Sequence, residues 1–215
     1  MKGLFITGSS TGVGKTHVAG QIISQIRPQL KSLKVRKPVE SGCTVTAEGL
    51  LPADGYNLYA RNGKKESLDI ITPYRFEAAL APDQAARREN KTVTLQQLET
   101  AVSNHVDEND FLLVEGAGGF YSPIAEDGLN ADLAKLLGLE MIVVIEDQLG
   151  AINQALLTMR AIEHEGLKLK AFILNRVTAD STEQYNNQYE IQRRVTCPVH
   201  VCAYAQSAED FQLLG

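Results

Sequence analysis

Residues 8–16, GSSTGVGKT, combine three glycines, a lysine and hydroxyl side chains in the order of a loop that wraps a phosphate. Backbone N–H groups from Gly8 to Gly14 can surround phosphate oxygens, Lys15 supplies a point charge, and Thr16 offers a hydroxyl to Mg²⁺. The common spacing G-x-x-x-x-G-K-[ST] would put glycine at position 9, where this chain has Ser9. Gly12 and Gly14 still allow close backbone approach, so the change points to a subclass of loop rather than to a lost one. A glycine-rich turn with a solvated lysine is the alternative reading.

Two more stretches bring charge toward the same place. KPVESG, residues 37–42, ends an apolar run with Lys37 where Pro38 and Gly42 turn the chain, so the ammonium can lean over the sheet edge toward the phosphates; a plain surface lysine is the other reading. VEGAGGFYSP, residues 114–123, ends another run with Glu115. A carboxylate there, opposite Thr16, can hold Mg²⁺ directly or through water, or can simply hydrogen-bond the turn. Asp54 in LPADGYNL is a helix N-cap candidate, and Asn175, closing AFILN, has one donor and one acceptor with which to read a nucleobase. The four histidines and three cysteines form no metal-ligand spacing, and no nucleophile elbow is present. Phosphoryl transfer by positioning, two lysines and Mg²⁺ is the chemistry these groups describe.

Such groups must be held by rigid elements. Apolar runs at 4–7, 34–39, 111–115, 141–146, 170–174 and 199–203 have strand length. Amphipathic stretches at 16–27, 94–106 and 150–164 read as helices, the second capped by Thr94, and shorter helices are expected near 54–62 and 83–89. Strands alternating with helices predict a doubly wound α/β fold, a mostly parallel sheet with helices on both faces. Ligands of such sheets lie beyond the carboxyl ends of the strands. Residues 40–90, richer in Gly, Pro and charge, read as an excursion from that pattern.

At 215 residues the chain is expected to form one domain. Its 26 acidic and 21 basic residues give a net charge of -5, which argues against a broad nucleic-acid surface. Three cysteines, no long apolar leader and no run of membrane-spanning length lead to the expectation of a cytoplasmic protein.

Taken together, GSSTGVGKT, KPVESG, Asp54, VEGAGG, LGAIN at 149–153 and LNRV at 174–177 resemble dethiobiotin synthetase, in matching order over about residues 3–178. KPV-x-SG with VEGAGG is the specific part of the resemblance. It implies a P-loop NTPase-like fold and an ATP-dependent ligase that closes the ureido ring of dethiobiotin from 7,8-diaminopelargonate and CO₂. A substrate carbamate would attack the γ-phosphate of ATP, and the neighbouring amine would displace phosphate from the resulting carbamic-phosphoric anhydride. By carry-over, Thr16, Asp54 and Glu115 hold Mg²⁺, and Lys37 and Lys15 are catalytic. Gly12, Val13, Gly14, Lys15, Thr16 and His17, with Gly116, Ala117, Gly118, Asn175 and Arg176, belong to the ATP site. Thr11, Lys37 and Ser41 meet the diamine. The family is homodimeric, so Gly150, Ala151, Ile152 and Asn153 of the partner subunit would receive the substrate's carboxylate at a helix N-terminus.

The chain departs from the family's pattern at several points. Ser9 and Ser10 stand where Thr and Asp are common, Gly12 replaces a frequent Glu, and Arg176 follows Asn175 where a small or acidic residue is common. The C-terminal VHVCAYAQSAEDFQ lacks the usual G-x-x-P loop that helps hold adenine, with Tyr204, Ala205 and Gln206 as candidate substitutes. Weaker nucleobase discrimination is the expectation. Partition-type and cobyrinate-amidating P-loop proteins are the rival classes. The loop lacks the second lysine of the former, and no glutaminase region follows for the latter. A non-catalytic nucleotide-binding module would leave Lys37 and Glu115 idle.

Overall fold

The computed structural model describes residues 2–177, 186–203 and 211–214. In chain order its elements are β1 (Lys2–Gly8), α1 (Lys15–Ile26), β2 (Leu33–Arg36), β3 (Val39–Ser41), β4 (Thr44–Thr46), β5 (Gly49–Leu51), α2 (Ala53–Arg61), α3 (Leu68–Ile71), β6 (Tyr74–Phe76), α4 (Pro82–Arg88), α5 (Leu95–Ser103), β7 (Phe111–Gly119), β8 (Pro123–Ala125), β9 (Gly128–Leu129), α6 (Asn130–Leu137), β10 (Glu140–Glu146), α7 (Ala151–His164), β11 (Leu169–Asn175), α8 (Asn187–Gln192) and β12 (Val199–Cys202). Six strands make one parallel sheet in the order β12-β11-β10-β1-β7-β2. The loop leaving β1 therefore opens between β7 and β10, where the strand order reverses and α/β sheets bind ligands.

Alternation along the strands builds two cores. Leu4 and Ile6 of β1 face α1 and α2 and pack with Val18, Ile22, Ile23 and Leu58. Phe5 points the other way, into a layer holding Leu98, Leu133, Ala155 and Ile162 from α5, α6 and α7. The expected doubly wound architecture is what forms. Thr94 caps α5 as expected: its hydroxyl accepts from the Gln97 N–H at 3.3 Å while Gln97 Oε1 accepts from the Thr94 N–H at 2.9 Å.

The strand expected at 34–39 is broken, and the break matters for the site. β2 pairs with β7 as far as Arg36; Lys37 then gives its N–H to Ile71 O at 2.9 Å, and Pro38 has none to give. Val39–Ser41 joins β6 in a separate parallel pair. The excursion at 40–90 contains this pair, the β4–β5 hairpin and α2 to α4, whereas α6 and α8 had no sequence expectation. Among the described residues, no helix is long and apolar enough to cross a membrane.

Candidate active site

The loop after β1 is held from three sides. Ser9 donates its N–H to Val144 O at 3.0 Å and its hydroxyl to Gln154 Oε1 in α7 at 2.8 Å. The residue that breaks the common spacing is thus the loop's anchor to α7. Gly12 and Gly14 have φ of 81° and 86°, the left-handed region that favours glycine. Asn175 Nδ2 donates to Val13 O at 3.0 Å, and a Cβ on Gly14 would stand 2.0 Å from that nitrogen. Gly14 then opens α1, whose first N–H groups face the loop and have no side-chain cap. His17 is exposed one residue beyond Thr16.

Lys15 is buried, and its Nζ donates to Ser10 O at 3.2 Å. Burial, aided by the neighbouring Lys37 ammonium, lowers its pKa to about 8, against the opposing pull of Glu115 and Asp54. Lys37 has the opposite balance. Its Nζ lies 2.7 Å from Glu115 Oε1, 2.9 Å from Asp54 Oδ2 and 3.1 Å from Gly116 O. Burial alone would lower its pKa, but the two carboxylates outweigh it and hold the ammonium above the ordinary lysine value. For Asp54, burial pulls upward while Lys37, Thr16 and Lys15 pull further downward, so it stays ionised.

Thr16 Oγ1 donates to the same Glu115 Oε1 at 2.7 Å. Glu115 Oε2 is buried with no hydrogen-bond partner among the described residues. Thr16, Asp54 and Glu115, one hydroxyl and two carboxylates, supply only oxygen, the donor type that hard cations require. The unpartnered Oε2 leaves acceptor capacity, so the residues fit Mg²⁺. Among the described residues no group of three or more His, Cys, Asp or Glu gathers as a metal cage. A set that relies on phosphate oxygens for the remaining positions is the usual mode for Mg²⁺.

Thr11, Gly12, Gly14, Lys15, Thr16, Lys37, Glu40, Ser41, Asp54, Ala117 and Gly118 line one pocket of about 340 Å³ at the carboxyl ends of β1 and β7. A larger hollow of about 540 Å³ lies at the opposite ends of the strands, around Lys2, Phe111 and Glu140, away from every loop that carries the charged groups. Ser41 gives its hydroxyl hydrogen to Leu80 O at 2.6 Å, leaving oxygen lone pairs toward the pocket. Arg176 lies beside Asn175 but is tied to Asp147, Nε to Oδ2 at 3.0 Å. Gly150, Ala151, Ile152 and Asn153, at the start of α7, are not among this pocket's lining residues. Tyr204, Ala205 and Gln206 fall outside the described residues.

Two organising residues escaped the sequence reading. Asn130 is fully buried at the start of α6; its amide donates to Ala117 O at 2.6 Å, Gly119 O at 2.9 Å and Ser122 O at 3.3 Å. Its Oδ1 accepts from the Ala117 N–H at 3.1 Å, and a Cβ on Gly116 would come within 2.4 Å of that oxygen. Gly116 of VEGAGG thus makes room for Asn130. Glu40 is the other. It accepts from the Asp54 and Gly55 N–H groups, each at 2.9 Å, so the N-cap reading of Asp54 needs correction. Asp54 is the second residue of α2, and its carboxylate faces Lys37 instead of its own helix. Glu40 stands inside the quoted KPVESG, but nothing in its spacing announced a partner on α2.

The family model described as an AAA domain matches residues 2–202. The ATP-dependent dethiobiotin synthetase BioD of Vesicomyosocius okutanii is 41% identical over 177 residues, covering 82% of this chain and 80% of that protein. The chain belongs to the dethiobiotin synthetase family. The dethiobiotin synthetases of Cellvibrio japonicus and Methanocaldococcus jannaschii are 36% and 33% identical, covering 92% and 98% of this chain and 86% and 96% of theirs. Members of the family are ligases. Among solved structures, a ParA family ATPase from Chlorobium tepidum has a TM-score of 0.53 at 17% identity, covering 94% of this chain and 84% of that one. The cell division protein FtsY of Thermotoga maritima, also at 0.53, is 16% identical and covers 99% of this chain and 65% of its own. At such identity these two show the P-loop fold that the family shares.

Proposed function

We propose that this chain is a dethiobiotin synthetase that uses ATP to carboxylate 7,8-diaminopelargonate with CO₂ and close the ureido ring. The reading has it act as a single P-loop α/β domain in a cytoplasmic homodimer. The observation that carries it is the meeting of Lys15, Thr16, Lys37 and Asp54 around one pocket, with the buried Glu115 bonded to Thr16 and Lys37 behind them, in a chain of this family.

Phosphates of ATP lie along the loop amides from Gly12 to Thr16, with Lys15 against their charge and Gly116, Ala117 and Gly118 opposite. His17 borders the phosphates, and the Asn175 Oδ1 acceptor is available to a base amine beside Arg176. Thr16, Asp54 and Glu115 would hold Mg²⁺, which neutralises phosphate charge when bound. Thr11 and Ser41 accept from the diamine, and Gly150, Ala151, Ile152 and Asn153 of the partner subunit receive the distal carboxylate. Lys37 bridges the carbamate and the γ-phosphate. As carbamate oxygen attacks the γ-phosphorus, the bond from phosphorus to the bridging oxygen breaks and ADP leaves; negative charge grows on the bridging and terminal oxygens, and the two ammonium groups stabilise it where it develops. The second amine then attacks the anhydride carbon, expelling phosphate and closing the ring.

Phosphate release is the direct assay, with Mg-ATP, bicarbonate and 7,8-diaminopelargonate, repeated without the diamine. Release that requires the diamine, with dethiobiotin found by mass, is the expected result. Equal release in its absence would refute the assignment.

A further inference from the structure

We propose that Glu40 is the positioning residue for the metal-facing carboxylate of Asp54, an inference that rests on Thr16, Asp54 and Glu115 being the oxygen set for Mg²⁺. α2 begins after Pro52, whose side chain supplies no cap. The first N–H groups of a helix need acceptors from elsewhere. Glu40 Oε1 accepts from the Asp54 N–H and Oε2 from the Gly55 N–H, each at 2.9 Å. These are the second and third residues of α2, the donors that an N-cap side chain would satisfy. A buried carboxylate here also faces the positive end of the helix.

Glu40 is itself held in place. β3 pairs with β6 so that Glu40 stands opposite Arg75, and its carbonyl accepts from the Cys43 thiol at 3.4 Å. Gly55 is pressed against Thr72, where a Cβ would lie 2.0 Å from Oγ1, so the first turn of α2 cannot slide away. Asp54 is fixed between these contacts. An aspartate beside uncapped amides tends to fold its carboxylate back onto them. Because Glu40 takes those amides, Asp54 Oδ2 remains beside Lys37 at 2.9 Å.

Binding of Mn²⁺ to the full chain with ADP, read by electron paramagnetic resonance, tests this without turnover. Glu40→Ala is expected to weaken Mn²⁺ binding about tenfold, the low end for partners that orient metal ligands. Glu40→Gln, which keeps one acceptor oxygen, should fall between and serves in its place if Glu40→Ala does not fold. Pro52 has the extended backbone of an N-cap residue, φ -82° and ψ 112°, so Pro52→Asp can accept from the same two amides. Adding Pro52→Asp to Glu40→Ala is therefore expected to restore both Mn²⁺ affinity and exchange protection of the Asp54 and Gly55 amides. Unchanged affinity in the Glu40 variants would overturn the proposal, as would a loss that Pro52→Asp leaves unrecovered. A wild-type chain that binds no Mn²⁺ would overturn the oxygen set and the proposal with it.

Discussion

Lys37→Ala separates the structural and chemical work of one side chain. The substitution removes the cation lying 2.7 Å from Glu115 and 2.9 Å from Asp54, and Glu115 is fully buried. Leaving one member of a buried pair uncompensated costs about 3–5 kcal/mol. In a chain of this size each kcal/mol shifts Tm by about 2–4 °C, so a loss of about 6–20 °C is expected without added metal. The variant still folds, because domain stabilities are about 5–15 kcal/mol. Added Mg²⁺ should then return more stability to Lys37→Ala than to the wild type, because a cation again faces the two carboxylates. Turnover should fall about 10²–10³-fold, the effect of removing one preorganised charge-stabilising donor. Calorimetric Tm with and without Mg²⁺, beside phosphate release, gives both quantities. An unshifted Tm together with turnover within about tenfold of wild type would refute the reasoning for both roles.

Three other outcomes follow from the geometry. Asn130→Ala removes the one amide nitrogen that the Ala117, Gly119 and Ser122 carbonyls share and orphans the Ala117 N–H; a destabilisation of about 3–5 kcal/mol in urea unfolding is expected, and less than about 1 kcal/mol would contradict the role given to Asn130. Gly14→Ala drives a Cβ against Asn175 Nδ2, whereas the same change at Gly12 meets nothing within 4 Å. Binding titrations with ADP should show at least about tenfold greater loss for Gly14→Ala, because Gly12→Ala bears mainly the left-handed backbone cost of about 1–2 kcal/mol; similar losses would count against the Asn175 lock. The absent G-x-x-P segment predicts weak nucleobase discrimination, so kcat/KM for ATP, GTP and CTP should be similar, and a strong preference for ATP would sink that expectation.

The charged groups were legible because each lies at or beyond the end of an apolar run in the sequence. Lys37 follows β2, Lys15 opens α1 after the loop from β1, and Glu115 stands within β7 opposite Ile6 of β1; β1, β7 and β2 are neighbours in one parallel sheet, so these strands bring the three together. Glu40 and Asn130 were not legible, because both act on backbone groups 8 to 15 residues away, and backbone groups leave no mark in the sequence. Asp54 was misread for the same reason. An aspartate near a helix start is ordinarily its cap, and the carboxylate that replaces it comes from another element. Ser9 read as the mark of a loop subclass with no role of its own, although its hydroxyl joins Gln154 across 145 residues, a separation that no local pattern reveals.

The two lysines also divide the site's charge unequally. Lys37 is already bonded to two carboxylates and Gly116 O, whereas Lys15 donates to the neutral Ser10 carbonyl. Their pKa shifts run in opposite directions for that reason, Lys15 down and Lys37 up. A phosphate entering the pocket relieves a cost at Lys15, whose buried charge has no carboxylate in ion-pair contact among the described residues, only the more distant pull of Glu115 and Asp54. At Lys37 the same phosphate must compete with Glu115 and Asp54 for the ammonium. The loop lysine is therefore suited to binding, and Lys37 responds to whatever else those two carboxylates hold.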